Sequence, residues 1–317
     1  SEDDSTGYSE DDSTESKNIY VMVIGFTSIN GSMDYWLKKF DENGIEDIEN
    51  WNKIIDGVGE ELYDRPTALA VDKQNNIYIS GISDTLDESN NWLIKKFSLD
   101  GTEITTGWDK LLDYDGKNDY PYAIAIDNVN DVYISGTAGS STSDFWIKKF
   151  DSSGSEITAG WDKVYDSSGT DNAYFITVDH SNDVYLLGRV SGGIAIKKYD
   201  SIGNEITAGW NKIIDIGALD SNIKYMMAID SDDNVYVVFN KHNGSDFDWW
   251  IKKYNSNGDE DTINWDKDID SGNGNDYIYS IAIDKDDNVY VAGTITNGTD
   301  NDWQIKKFDS DGIEDTE

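Results

Sequence analysis

Six times along this 317-residue chain a lysine pair followed by an aromatic residue closes a short apolar run. The copies are Lys38-Lys39-Phe40, Lys95-Lys96-Phe97, Lys148-Lys149-Phe150, Lys197-Lys198-Tyr199, Lys252-Lys253-Tyr254 and Lys306-Lys307-Phe308. Successive copies lie 57, 53, 49, 55 and 54 residues apart. Self-similarity at a nearly fixed period marks a repeat architecture, in which no unit can bury its apolar face alone and each must stack on its neighbours. An even repeat offers no seam at which to divide the chain, so 19–317 is expected to form one continuous domain.

The third unit shows the grammar: YAIAID (122–127), a turn, DVYISG (131–136), a loop, DFWIKKF (144–150), a turn, then GWDKVYD (160–166). These read as strands A, B, C and D. Apolar residues alternate or run in short blocks instead of recurring at helical spacing, and 28 glycines with only two prolines suit strands joined by tight turns. Strand A keeps a small residue in one slot (Ala70, Ala125, Thr177, Ala228, Ala282), which suits the crowded place where sheets converge. Strand B carries Tyr78, Tyr133, Tyr185, Tyr236 and Tyr290; in the first unit its register is shifted. Strand C always holds an aliphatic before the lysines, as at Ile94, Ile147 and Ile305. Strand D holds Trp51, Trp108, Trp161, Trp210 and Trp265, each followed by Asp or Asn and then Lys.

Four short strands per unit, apolar on both faces and repeated six times, predict an all-β fold: a six-bladed β-propeller of four-stranded antiparallel blades. A parallel β-helix is the runner-up, though its rungs are shorter and lack hairpin punctuation. The order AIAID, turn, NVYVAG, loop, WIKKFD resembles the bacterial SBBP-type propeller repeat, and the strand order is similar to that of NHL-type six-bladed propellers. The resemblance covers nearly everything after residue 18. It implies an extracellular or cell-envelope setting, secreted or displayed on the surface, with binding or scaffolding more common than catalysis.

The ends depart from the pattern. Residues 1–18 open with an acidic Ser/Thr stretch lacking apolar periodicity, expected to be a flexible tether because it buries too little to offset its ordering entropy. The first residue is a serine, which suits a mature or trimmed form. The first unit begins at strand B and the last ends after strand C, so one blade is expected to be incomplete from its own chain ends. Three accounts compete: the acidic tail fills the gap, the natural protein is longer, or a second molecule supplies the strand, making a polymer by strand donation.

Charge narrows the partners. A net charge of −38 repels nucleic acid and anionic lipid, and no apolar stretch is long enough to span a bilayer. Twelve of the 25 basic residues lie in the lysine pairs and five more follow the strand-D tryptophans, so they are expected to pair with acids of the same or adjacent sheet. With no cysteine, disulfides and thiolate metal sites are excluded. Expected partners are a protein or a glycan at the loop face, and a further copy through a blade edge.

Two groups of acids are candidate sites. In the A–B turns, Asp230, Asp232 and Asn234, with Asp284, Asp286 and Asn288, alternate oxygen ligands like the opening of a calcium loop. They lack its glycine and closing acid, and an Asx-turn is the plainer account of the first Asp. Calcium is therefore an option and no cofactor is required. In the D–A loops, Asp113, Asp115, Asp119, Asp166, Asp171, Asp270 and Asp276 are expected to ring one mouth of the channel and attract cations or a basic partner. Two histidines (His180, His242) and two arginines (Arg65, Arg189) leave little for a histidine triad or a sialidase-type arginine cluster. The tryptophans fall in repeat slots and read as core. The expectation is a binding or scaffold module, not an enzyme, with strand-donating polymer and a carbohydrate-active enzyme using channel-mouth carboxylates as alternatives.

Overall fold

The computed structural model describes residues 20–29, 32–56, 63–85, 89–139, 143–167, 169–217, 224–272 and 274–316, so the tether expected over 1–18 lies outside them. Six antiparallel sheets follow one another along the chain. Blade 1 is β1 (Tyr20–Ile29), β2 (Ser32–Asp41) and, after the single-turn α1 (Ile48–Trp51), β3 (Lys53–Ile55). Blade 2 is β4 (Asp64–Val71), β5 (Ile77–Asp84), β6 (Asn90–Phe97) and β7 (Lys110–Leu112). Blade 3 is β8 (Tyr120–Ile126), β9 (Val132–Ala138), β10 (Asp144–Phe150) and β11 (Lys163–Tyr165). Blade 4 is β12 (Asn172–Val178), β13 (Val184–Val190), β14 (Gly193–Tyr199) and β15 (Lys212–Ile214). Blade 5 is β16 (Tyr225–Ile229), β17 (Val235–His242), β18 (Phe247–Tyr254) and β19 (Lys267–Ile269). Blade 6 is β20 (Tyr277–Ile283), β21 (Val289–Thr296), β22 (Asn301–Phe308) and β23 (Glu314–Asp315).

This is the expected propeller. Strands A of successive blades (β4, β8, β12, β16, β20) neighbour one another and are innermost. Among the described residues blade 1 has three strands, B to D. Its Met22 takes the slot that tyrosine fills elsewhere, opposite Lys39 as Tyr133 is opposite Lys149. The two-residue β23 is not a strand D. It pairs Phe308 with Glu314 as Phe97 pairs with Glu103 and Phe150 with Glu156 in earlier blades. Strand D is shorter than the sequence suggests, because pairing starts at the lysine and the tryptophan before it turns into the junction with the next blade.

Those tryptophans lock blade to blade. The Nε1–H of Trp51, Trp108, Trp161, Trp210 and Trp265 donates to the main-chain carbonyl of Leu99, Ser152, Ser201, Ser256 and Ser310 at 2.8, 3.1, 3.1, 3.0 and 3.2 Å. Each acceptor belongs to the following blade, and all five indoles are essentially fully buried. Beside them the backbones nearly touch: a Cβ on Gly154 (φ +89°) would lie 2.1 Å from the Gly107 carbonyl oxygen, so only glycine fits.

The lysine pairs divide their work. Each first lysine pairs with a glutamate just beyond its own strand C: Lys38 with Glu46 at 2.6 Å, Lys95 with Glu103 at 2.8 Å, Lys148 with Glu156 at 2.5 Å, Lys197 with Glu205 at 2.7 Å, Lys306 with Glu314 at 2.5 Å, and Lys252 with Glu260. In blades 2 to 6 the second lysine lies over the strand-B tyrosine, as Lys149 does over Tyr133 at 4.7 Å from the ring centre, and Lys149, Lys198 and Lys253 also reach the carboxylate that ends strand A. Positive charge is thus spent inside the blades, as expected from its placement in the repeat.

Candidate functional site

The A–B turns use their first aspartate to hold themselves. Asp230 Oδ1 accepts the N–H groups of Asp232 and Asn234 at 3.1 and 2.8 Å, and Oδ2 accepts the Tyr236 hydroxyl at 3.1 Å. Asp284 does the same with Asp286, Asn288 and Tyr290. The fourth turn residue has positive φ, and its side chain accepts an N–H from the preceding blade: Asn130 from Lys73, Asn182 from Asn128, Asp233 from His180, Asp287 from Ser231. The result is a hydrogen-bonded belt around one end of the channel. Asp232 and Asp286 point to solvent, and among the described residues none of the four aspartates falls in a cluster of three acids or histidines within ligating reach of one another.

Metal-capable groups form at the opposite end, and the structure brings only part of the expected acidic ring into them. Asp166 and Asp171 meet Asp144; Asp270 and Asp276 meet Asp248; a third group joins Asp34, Asp56 and Asp64. Ligand atoms within each trio lie within 4.8 Å of one another. Each trio takes one acid from the start of strand C, one after strand D and one at or just before the start of the next strand A. Blade 2 breaks the pattern with Asn91 in the strand-C slot, so Asp113 and Asp119 stay outside any trio. Asp113 caps the loop by accepting from Gly116, and Asp115 sits exposed at positive φ. In three junctions the acid near the start of the next strand A is pinned: Asp276 accepts from Ser271 and Thr296, Asp171 from Ser167, and Asp119 from Tyr114 and Gly139.

Crowding carboxylates away from water favours the protonated form. Burial, reinforced by Asp270 and Asp268, pushes the Asp248 carboxyl up to about 7 against an opposing hydrogen bond from Asn243. Burial likewise raises Asp119 to about 6, and burial with Asp166 and Asp171 raises Asp144. Asp248 is fully buried and its Oδ1 has no hydrogen-bond partner. Such a trio either keeps a proton or holds a cation.

Inside this acidic rim the channel mouth has the opposite character. One strand-A slot holds Thr67, Tyr122, Tyr174, Tyr225 and Tyr279, which line a cavity of about 420 Å³ together with Lys224. Tyr122 and Tyr174 have ring centres 4.7 Å apart, Tyr174 and Tyr225 5.2 Å apart, and Tyr174 and Tyr225 share a hydrogen bond. Burial pushes Tyr122 up to about 12 and raises Tyr174 and Tyr225 as well, so these phenols are protonated donors at neutral pH. Against that burial, the charge of Arg189 lowers Tyr174 and Tyr225 and that of Arg65 lowers Tyr122; Arg65 lines a neighbouring cavity with Tyr120 and Tyr122. Sequence reading missed this site, because the tyrosines sit inside strands taken only as apolar and the arginines come from different blades.

No family model matches the chain, and no curated protein matches it in sequence. Solved structures do match in shape. The periplasmic gluconolactonase PpgL of Pseudomonas aeruginosa gives a TM-score of 0.58 at 10% identity, over 94% of this chain and 85% of that one. An ulvan lyase of polysaccharide lyase family PL25 gives 0.53 at 11%, over 92% and 81%. A glucose dehydrogenase gives 0.50 at 10%, over 88% and 94%. These likenesses show a β-propeller. They also correct the expectation that the chain is not an enzyme: the propellers it superposes on are named for catalysis. On such a scaffold a few loop and channel side chains supply the chemistry, so a missing linear motif was no ground for excluding it.

Proposed function

We propose that this propeller is a carbohydrate-active enzyme that grips an acidic sugar at its tyrosine-lined channel mouth. One observation carries the reading: in a chain of net charge −38, Tyr122, Tyr174, Tyr225 and Lys224 line one cavity, and the charges of the two arginines are felt at those same phenols. Guanidinium groups suit the planar carboxylate of a uronate. Tyrosine faces suit the C–H face of a pyranose, and protonated phenols donate to its ring, hydroxyl or glycosidic oxygens. The reading moves the working groups from the mouth carboxylates to the tyrosines and cations, since Asp119, Asp171 and Asp276 are occupied in holding loops. Fold likeness to a gluconolactonase and an ulvan lyase supports a sugar-directed activity. The SBBP-type resemblance supports a secreted or surface setting; among the described residues no helix is long and apolar enough to cross a membrane.

The test is a panel of uronate-containing and neutral polysaccharides, scored for new reducing ends and for unsaturated uronate products. Turnover of a uronate polymer is expected, falling at least about tenfold in Arg189→Ala and Tyr225→Phe, a loss of more than ~1.4 kcal/mol of transition-state stabilisation. Absence of both binding and turnover across the panel would overturn the reading.

Calcium is proposed as the ion of the inter-blade trios, not of the A–B turns. Ligands that are all oxygen suit a hard cation, and the buried Asp248 oxygen without a hydrogen-bond partner supports this reading. Its test is the last prediction of the Discussion.

A further inference from the structure

Among the described residues five blade junctions are closed and the faces that would make a sixth are exposed. On the trailing face of each blade, two strand-C slots meet the next blade. They hold Tyr35 and Leu37, Trp92 and Ile94, Phe145 and Ile147, Ile194 and Ile196, then Trp249 and Ile251, all 1% exposed or less. In blade 6 the same slots hold Trp303 and Ile305, which are 79% and 72% exposed. On the leading face, the two strand-B slots that receive them (Val289 and Val291 in blade 6, for example) are fully buried in blades 2 to 6. In blade 1 they hold Val21 and Val23, 54% and 45% exposed.

The surroundings agree. Among the described residues no apolar cluster joins blade 6 to blade 1, whereas every consecutive pair shares one. The turn glycine of blades 2 to 6 (Gly101, Gly154, Gly203, Gly258, Gly312) presses on the preceding blade, but a Cβ on Gly44 would meet nothing within 4 Å. Four second lysines (Lys39, Lys96, Lys149, Lys253) reach a carbonyl of the following blade; Lys307 instead turns to Asp315 in its own sheet.

We infer that the trailing face of blade 6 docks on the leading face of blade 1 of a second copy. The occupant follows from continuity: each bare face carries the residue types that already pack against the other in five junctions of this chain. Exposed aromatic and aliphatic side chains in one contiguous patch mark an interaction surface. The contact is heterologous, so copies add head to tail and grow into a filament, or into a ring if the rotation closes. This differs from strand donation. Whole sheet faces pack and no strand is exchanged.

The chain has no cysteine, which makes a clean test available. The full chain carrying Val23→Cys and Ile305→Cys is oxidised and run on a denaturing gel. A ladder of covalent multimers is expected; a fast-migrating monomer closed on itself, or an uncrosslinked monomer, would overturn the inference. Sedimentation velocity supplies the second arm. Wild-type mass is expected to rise with concentration, while Val23→Asp and Ile305→Asp, each leaving one face intact, stay monomeric alone and form a dimer, nothing larger, when mixed. A wild type that stays monomeric at every concentration would also refute it.

Discussion

Trp249→Ala is expected to lower unfolding stability by ~3–5 kcal/mol, whereas Trp303→Ala, the same slot one blade later, changes it by less than ~0.5 kcal/mol in dilute solution. Trp249 is fully buried, donates its Nε1–H to the Thr294 carbonyl at 3.1 Å and packs in the cluster joining blades 5 and 6. Removing it leaves a cavity between two sheets and a carbonyl without its donor. Trp303 is 79% exposed and has neither. Urea titration at sub-micromolar protein measures both, with stability treated as a sum over blades and their junctions. Equal losses would mean that blade 6 closes on blade 1 within one molecule.

That comparison shows where sequence reading stops. Trp303 and Ile305 obey the repeat as faithfully as Trp249 and Ile251, so nothing in their identity reveals exposure; only the neighbour differs. The repeat itself was legible because its slots are set by packing: a small residue where strands A converge, a tryptophan at each junction, a lysine pair set to meet acids of the same or adjacent sheet. The turn chemistry was legible too, as Asp230 and Asp284 hold their turns in the Asx manner available from DSDDN and DKDDN. Side chains gathered from distant repeats were not. Arg65 and Arg189 read as too few for a clamp, and only the fold sets their charges on neighbouring members of one tyrosine row, Arg65 on Tyr122 and Arg189 on Tyr174 and Tyr225. The trios were half legible: Asp166, Asp171, Asp270 and Asp276 stood out in acidic loops, while Asp144 and Asp248 hid at the head of apolar strands.

In metal-free buffer Asp248→Asn is expected to stabilise the protein above neutral pH and to leave it unchanged near pH 4. The sign follows from the shift. The folded carboxyl holds its proton up to about 7, whereas an ordinary aspartate loses it near 3.8. The protonated form therefore contributes stability that is fully present below pH ~4 and lost as pH rises through about 7. Asparagine carries no charge to bury, and Asn91 shows that the fold accepts it in this slot. A gain on the order of 2 kcal/mol at pH 8, a few degrees in Tm, is expected for the variant. Calcium reverses the order. With the ion at millimolar excess the wild type gains several degrees by binding linkage and Asp248→Asn gains little, because the site has lost a charged ligand. A wild-type melt that ignores both calcium and chelator removes the ion from the trios. A variant no more stable than wild type at pH 8 without metal removes the buried proton as well.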